Sequence, residues 1–561
     1  MKQRSTVTVG DRAVTKYLCT QDGKEEMSYI RKITAMAMTL LFGAGSLFSI
    51  TAYGEQRPEY LKSVTYFGDE WPINYWNSED SRMEENLRQI ADDGFNSIIL
   101  AVPWREFQPM GEKQYYNELA FERLEQIMEC AESCGLWVVL RVGYTWDYYG
   151  AAEIPARYDN VTQKGSEDWY GWLKFAGRLY ETASAHPNFH SGFITWEDFW
   201  NYIWYMDRDF SMSLRNRLAK QSGFTVYLRE RYSLEEVSSW YGESFKSFDE
   251  VYLPYGSHPS ARLFYEYYDQ YLIGFLKETQ MVFPGLSMEI RADGDRVYTG
   301  EDTFAYYSHS ATYSCEGAPY SALMYSVSMG QKNENDRITA DTALKAMQNN
   351  LRNLYEAGGK RLYVEQLLYM DSTEAYSSNT QIREDQVDTF VRSLTPVLLE
   401  TTSGYGLWVY RNYVNNCVYN SQFGLGKEGW NFSGSSTVEE RKGTKMAVVG
   451  SNGGISQNIT GRLPESGRLH VDFHAESDQA GADVKIQVGN LSKKVHLTGA
   501  GTYTLEFPWQ DQYNISITGD KKIYLDDIRV YTYEQNGRIY ERNGAEGDLA
   551  GSFRALNRTL N

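Results

Sequence analysis

The chain has 561 residues, enough for two or three domains at roughly 100–200 residues per domain. Hydrophobic residues make up 42% and charged residues 23%, which excludes a disordered or collagen-like polymer. The 74 acidic side chains outnumber the 55 basic ones, and the net charge of −19 argues against nucleic acid as a ligand. Five cysteines are too few for a disulfide framework in a chain of this length.

Aromatic residues are unusually frequent. They reach 15% of the chain, with 14 Trp, 45 Tyr and 24 Phe. This is more than a hydrophobic core requires, so we expect many rings to line a groove. Neutral ligands that stack on rings remain after the exclusions above, and sugars fit that description best.

The first predicted element is an apolar segment near the N-terminus. Residues 33–53 carry no charge and follow Arg31 and Lys32, the positive flank expected of an export signal. The segment is also long enough to span a bilayer as a helix, and Met27 is an alternative start. We expect residues 1–54 to direct export, through a cleaved signal peptide or an uncleaved anchor that would be the only membrane contact. The protein would then be extracellular or attached to the cell surface. A buried core helix is the structural alternative.

Residues 55–415 alternate short apolar runs with longer amphipathic stretches. Spacings of three and four residues, as in Leu124, Ile127, Met128 and Ala131, predict helices with one buried face. The alternation predicts a (β/α)8 TIM barrel with a long Tyr- and Trp-rich insertion over roughly 199–260. The eight runs that predict its strands are Ser63–Phe67, Ser97–Val102, Trp137–Val142, Gly192–Trp196, Leu286–Ile290, Ala311–Cys315, Arg361–Glu365 and Gly406–Tyr410.

The pattern changes after residue 415. Strand-like segments separated by Gly, Ser and Asn turns predict an all-β sandwich of the jelly-roll type over residues 416–536. The final residues, 537–561, read as a polar tail.

Carboxylates close two of the predicted barrel strands. Strand four runs into Glu197 and strand seven into Glu365, and catalytic groups of such barrels lie at the C-terminal ends of strands. Two carboxyls about 5–5.5 Å apart suit retaining glycoside hydrolysis, with one as nucleophile and the other as acid/base. The acid needs an apolar setting that favours its protonated form, and Trp196, Phe199 and Trp200 surround Glu197 in sequence.

Three segments resemble the retaining glycoside hydrolases of the (β/α)8-barrel clan, in particular its cellulase- and mannanase-like members and its β-galactosidases. Ile99–Pro109 is similar to the strand-two segment of that clan, Leu136–Gly143 to strand three and Gly406–Tyr410 to strand eight. The resemblance covers about 350 residues. It implies that Glu197 is the acid/base and Glu365 the nucleophile.

The resemblance also implies roles for other residues. Tyr313, the predicted end of strand six, would donate a hydrogen bond to the nucleophile. Trp408 would form the bottom of the sugar subsite. The complete set of predicted substrate-binding residues is Trp104, Arg141, Trp146, Trp200, Arg291, Tyr313 and Trp408. Each has a structural alternative: a lone Trp is more often part of a core, and Arg141 and Arg291 could serve in ion pairs.

One departure from the clan pattern keeps a second function open. The clan has Asn immediately before the acid/base, where this sequence has Trp196. In the clan this Asn contacts the 2-hydroxyl of the sugar. Either another group makes that contact in this chain, or the chain is a catalytically impaired glycan-binding protein, or it processes exopolysaccharide in the cell envelope. Each of these interpretations has a polysaccharide or oligosaccharide as partner, and we expect a monomer that needs no cofactor.

The C-terminal sandwich resembles carbohydrate-binding modules. Asn420–Trp430 is similar to their opening and Tyr524–Val530 to their closing strand. Candidate binding rings are Trp430, Trp509 and Tyr513, and a purely structural module is the alternative. Asp526 and Asp527 are a weak signal for a structural calcium ion, and no other metal site is expected.

Overall fold

A computed structural model describes most of the chain beyond the N-terminal segment. The described residues are 57–68, 72–109, 116–143, 153–195, 201–300, 303–329, 335–370, 378–459, 468–508, 514–534 and 539–560. They belong to one compact unit, Arg57–Asn561. The predicted export segment 33–53 lies outside them. Within these ranges, no helix combines the length and the apolar character needed to cross a lipid bilayer.

Eight parallel strands form a closed barrel, which confirms the predicted (β/α)8 architecture. Around the barrel the order is one, eight, seven, six, five, four, three, two, so neighbours in sequence are neighbours in space. The strands, numbered one to eight along the chain, are Leu61–Thr65, Ser97–Val102, Trp137–Val142, Phe189–Ile194, Ser287–Ile290, Ser321–Ser326, Leu362–Leu368 and Thr402–Leu407.

Amphipathic helices surround the barrel. In Glu118–Ser133 the predicted face of Leu124, Ile127, Met128 and Ala131 is buried. Ser166 caps the helix Glu167–Ser184 by accepting a hydrogen bond from the Trp169 N–H, which satisfies an otherwise unpaired amide. The α-helices are Pro72–Tyr75, Met83–Asp92, Trp104–Phe107, Glu118–Ser133, Glu153–Val161, Glu167–Ser184, Asn201–Met206, Met212–Gln221, Phe224–Arg231, Leu234–Tyr241, Ala261–Gln280, Ala340–Gly358, Val387–Arg392, Thr395–Thr401 and Ala550–Thr559.

Strand six lies later in the chain than predicted. The expected run Ala311–Cys315 instead overlaps a 3-10 turn, Ser310–Thr312, and the strand is Ser321–Ser326. His309 and Cys315 both have positive φ angles, 52° and 37°, so the backbone turns where the sequence pattern suggested an extended segment.

Two connections depart from the regular strand–helix alternation. The predicted insertion after strand four contains four short helices between Asn201 and Tyr241. After strand five the chain forms an antiparallel hairpin, Asp295–Gly300 with Thr303–Tyr307, and then the 3-10 turn that leads to strand six. Both connections start at the C-terminal ends of strands, at the mouth of the barrel.

Two antiparallel sheets pack around a common core between residues 413 and 534, in agreement with the predicted β-sandwich. Val471 and Phe473 come from one sheet and Ile486 and Ile517 from the other, and all four are buried. The first sheet has the order Thr437–Arg441, Thr444–Val449, Ile523–Glu534, Arg468–Glu476, Gly501–Pro508, with Tyr413–Asn416 also paired to Ile523–Glu534. The second sheet has the order Asn431–Ser433, Gly454–Asn458, Asn514–Gly519, Asp483–Val488, Leu491–His496.

The expected polar tail, 537–561, contains a helix that completes the barrel. Phe553 and Leu556 of Ala550–Thr559 are buried, and the ring of Phe553 packs on Tyr369 just after strand seven. Asn557 accepts a hydrogen bond from Tyr405 of strand eight at 2.5 Å and donates one to the Asp93 carbonyl after the first barrel helix. The helix therefore occupies the eighth position, between the elements that follow strands seven and one. The sandwich is an insertion between strand eight and its helix.

Candidate active site

The lower half of the barrel interior is closed by packed side chains. Leu61, Ile99, Val139, Phe193 and Tyr363 form a buried cluster inside the strands, completed by Tyr320 and Ala322. Buried hydroxyls pair within the same layer, for example Tyr363 with Ser63 at 2.7 Å and Ser191 with Tyr320 at 2.7 Å. This layer closes the lower end of the barrel interior, as expected for a fold in which ligands bind at the C-terminal ends of the strands.

Charged side chains lie above this layer. Arg141, near the end of strand three, donates from Nη1 to the Oε1 atom of Gln366 on strand seven at 2.7 Å. Its Nη2 atom lies 3.9 Å from Oε2 of Glu289 on strand five. Strands three, five and seven are not neighbours in the sheet, so these contacts cross the barrel interior. Arg141 and Glu289 are 2% and 1% exposed, and such a pair interacts through a medium of low effective dielectric constant.

Glu365 lies at an irregular point of strand seven. Pairing with strand six shifts between Tyr363 and Gln366, and pairing with strand eight shifts between Val364 and Leu367. Bulges of this kind reorient side chains and are common beside active sites. Glu365 is fully buried, two residues beyond the inward-facing Tyr363 and directly before Gln366. The predicted nucleophile is therefore a buried residue next in sequence to a member of the Arg141 network.

A glycine on strand eight allows strands seven and eight to approach each other closely. A Cβ atom at Gly406 would come within 2.5 Å of the Glu365 carbonyl oxygen and 2.7 Å of the Ile99 side chain. Any larger residue would push strand eight away from the segment that carries Glu365.

Two further predicted residues lie at the C-terminal ends of their strands. Trp408 directly follows strand eight, is 8% exposed and packs on Phe67, with ring centroids 5.5 Å apart. Arg291 directly follows strand five and donates from Nε and Nη2 to the Asp293 carboxylate, both at 2.9 Å. Both residues lie at the C-terminal ends of strands, but Trp408 is mostly buried in the core cluster of the barrel and only its small exposed fraction is accessible to a substrate.

Trp104, by contrast, is part of the core. It is 1% exposed, its indole N–H donates to Gln108 at 2.8 Å, and the Arg157 guanidinium covers its ring at 3.8 Å. Trp172 packs against it edge to face. A ring enclosed in this way has no free face for a sugar, so the predicted stacking role of Trp104 was wrong.

Tyr313 does not close a barrel strand either. It follows the 3-10 turn and precedes strand six by eight residues, and its hydroxyl donates to the Ser308 carbonyl. The Tyr313 carbonyl accepts a hydrogen bond from Ser321, the first residue of strand six. The predicted donation from Tyr313 to Glu365 is therefore replaced by local contacts.

The remaining predicted site residues, Glu197, Trp146 and Trp200, lie outside the described residues, as does Trp196. The residues that sequence analysis missed are Glu289 and Gln366. A signal for Glu289 existed, since it is a lone acidic residue within the apolar run Leu286–Ile290.

Two of the ligand-binding residues predicted in the sandwich, Trp430 and Asp527, make structural contacts instead. Trp430 is 7% exposed, donates to the Asn420 carbonyl and packs on Phe423, so it belongs to the core. Trp509 and Tyr513 lie outside the described residues. Asp527 accepts hydrogen bonds from Arg529 at 3.0 Å and Gln422 at 3.3 Å instead of presenting a free calcium ligand. Among the residues described, no group of three His, Cys, Asp or Glu side chains could hold a metal ion.

Comparison with known proteins gives a likeness at the level of the chain path alone. No protein-family model and no curated protein matches the sequence. A β-galactosidase from a psychrophilic Marinomonas is 14% identical, with 63% of this chain and 54% of that chain covered and a TM-score of 0.41. An exo-β-1,4-mannosidase from an Opitutaceae bacterium is 10% identical, with coverages of 65% and 56% and a TM-score of 0.40. The catalytic domain of a β-amylase from Paenibacillus polymyxa is 12% identical, with coverages of 63% and 93% and a TM-score of 0.41.

Proposed function

We propose that the protein is an exported retaining β-glycoside hydrolase that acts on a polysaccharide or oligosaccharide. The observation that supports the proposal is the complete burial of Glu365 on strand seven, directly before Gln366, which Arg141 contacts across the barrel interior. A carboxylate in this position can attack an anomeric carbon that enters from the mouth.

The reaction would proceed by double displacement. Glu365 forms a covalent glycosyl-enzyme while Glu197 protonates the leaving oxygen, and Glu197 then activates the water that hydrolyses the intermediate. The fixed contact between Arg141 and Gln366 holds the side chain next to the nucleophile. Arg291 and Trp408, at the ends of strands five and eight, would contact the sugar.

The test is a screen of the purified protein against aryl β-glycosides and β-linked polysaccharides, with Glu365→Gln and Glu197→Ala variants. Glu356→Gln is the matched control, because Glu356 is exposed on the outer helix Ala340–Gly358. We expect turnover in the wild type and the control and its loss in Glu365→Gln. Azide should restore turnover in Glu197→Ala, because a small anion attacks the glycosyl-enzyme without a general base.

Two results would overturn the proposal. Unchanged turnover in Glu365→Gln would remove the nucleophile. Glycan binding without turnover in every variant would favour the impaired, glycan-binding function that Trp196 suggests, and Trp196→Asn would then be the variant to assay for regained activity.

A further inference from the structure

The hairpin that follows strand five has two chemically different faces. Cross-strand pairing places Arg296 opposite Tyr306 and Tyr298 opposite Phe304. These four side chains share one face, because residues two apart on a strand point the same way. Tyr306 is 69% exposed and is the most open ring of this face, whereas Phe304 is 39% exposed and the Arg296 guanidinium lies 4.0 Å over its ring.

The other face is fixed to the barrel. His309 bridges two carboxylates, with Nδ1 2.7 Å from Asp269 of the helix Ala261–Gln280 and Nε2 2.8 Å from Asp295 of the hairpin. Tyr307 also donates to Asp269 at 3.1 Å, and Tyr265 donates to the Arg296 carbonyl at 3.3 Å. His309 and Asp269 are essentially inaccessible to solvent.

This anchoring has a structural purpose. An isolated two-stranded hairpin is marginally stable in water, yet this one holds aromatic side chains in solvent. The buried Asp269–His309–Asp295 bridge fixes its orientation relative to the barrel. Exposed rings on a rigid support at the mouth of a barrel are characteristic of a ligand-binding surface rather than of a core.

We infer that the face formed by Arg296, Tyr298, Phe304 and Tyr306 binds a neutral glycan chain that extends from the barrel mouth. The inference rests on the proposed function for the identity of the ligand. The hairpin starts five residues after strand five ends, and Arg291 of the proposed site lies in the short segment that joins them. The half-exposed Asp293 next to it and the net charge of −19 disfavour an anionic polysaccharide.

The experiment compares Tyr306→Ala and Phe304→Ala with Tyr355→Ala. Tyr355 is 37% exposed near the end of the outer helix Ala340–Gly358, which leads to the start of strand seven at the opposite end of the barrel. Binding of soluble β-glucan and β-mannan is measured by calorimetry in the Glu365→Gln background. We expect affinity to fall about fivefold to tenfold in Tyr306→Ala, the loss of roughly one ring contact, and to stay unchanged in Tyr355→Ala.

Kinetics on two substrate sizes separate this inference from the proposed function. In the active protein, Tyr306→Ala should raise KM for the polysaccharide and leave an aryl glycoside unaffected. If no glycoside is turned over but polysaccharide affinity still depends on Tyr306, the proposed function fails and the binding face stands. Equal affinities for Tyr306→Ala and Tyr355→Ala, or no binding of either polysaccharide by the parent protein, would overturn the inference. So would a dimer that dissociates in Tyr306→Ala, since the face would then be an interface between copies.

His309 acts as a positioning residue, and its role has its own test. Asp295→Ala removes the bridge, whereas Asp295→Asn keeps an oxygen that accepts from His309. We expect Asp295→Ala to lose polysaccharide affinity to the same extent as Tyr306→Ala, and Asp295→Asn to retain it, with aryl-glycoside kinetics unchanged in both. Retention of affinity in Asp295→Ala would show that the hairpin needs no anchor.

Discussion

Replacing Arg141 by Met tests whether the charged layer in the barrel is a coupled network. At the observed 3.9 Å separation, the attraction between Arg141 and Glu289 is about 4 kcal/mol with an effective dielectric constant of about 20. The variant would leave the Glu289 carboxylate buried without this guanidinium. Removing one partner of such a buried pair typically costs about 3–5 kcal/mol. We therefore expect the free energy of unfolding to fall by this amount in urea titrations followed by circular dichroism.

The matched control is Arg352→Met on the outer surface. Arg352 lies 2.7 Å from Glu400, but the two side chains are 43% and 34% exposed, so its loss should change stability by less than about 1 kcal/mol. The Arg141→Met/Glu289→Gln double variant should be less destabilised than the sum of the single variants, because each single variant leaves one buried charge without its partner and the double variant removes both charges. A loss below about 1 kcal/mol in Arg141→Met, or strict additivity, would refute the network.

Three other predictions address the core, the terminal helix and a buried acid. Trp104→Ala should lower the unfolding free energy by about 3–5 kcal/mol, with KM unchanged; a raised KM at unchanged stability would restore its predicted stacking role. Phe553→Ala should cost a similar amount in thermal unfolding, and the exposed Arg558→Ala almost nothing; equal effects would contradict the buried eighth helix. Burial raises the pKa of Asp159 to about 7, despite the hydrogen bond from Tyr205. Ionised Asp159 thus destabilises the fold increasingly as the pH rises from about 4 through 7. Asp159→Asn should therefore have the same unfolding free energy as the wild type at pH 4. Above pH 7 it should be more stable than the wild type by as much as about 4 kcal/mol. A constant difference across that range would refute it.

Local periodicity was enough to predict the helices and most strands. The face formed by Leu124, Ile127, Met128 and Ala131 was predicted and is buried in the helix Glu118–Ser133, because the apolar spacing of a helix is contained within its own sequence. The same reasoning placed strand six in the wrong segment. Its apolar content resembles that of the preceding segment, and only the backbone turn at His309 and Cys315 distinguishes the two.

The composition of the site could be predicted only in part. The strands of a parallel barrel are buried on both faces, so their sequences do not indicate which side chains point into the barrel. Every residue of strand five is buried, so alternation does not reveal that Glu289 points inward toward Arg141. Glu365 was predicted because a carboxylate at the end of a strand is a local signal, but strand seven continues for three residues beyond it, to Leu368. Gln366 was missed because its inward position depends on the irregular pairing of strand seven.

The position of the sandwich changes how its role can be tested. Truncation after Asn416 would remove the eighth barrel helix together with the sandwich, so loss of activity in that variant would say nothing about glycan binding. The informative variant deletes residues 417–530. Asn416 pairs directly with Tyr531 in antiparallel register, so a two-residue Asn-Gly turn can join the remaining strands. We expect this deletion to give a soluble barrel with normal aryl-glycoside turnover and the truncation to be insoluble. If both are equally insoluble, the barrel depends on contacts such as the hydrogen bond from Asn420 to Asn77. If both fold, the helix Ala550–Thr559 is dispensable, contrary to its burial.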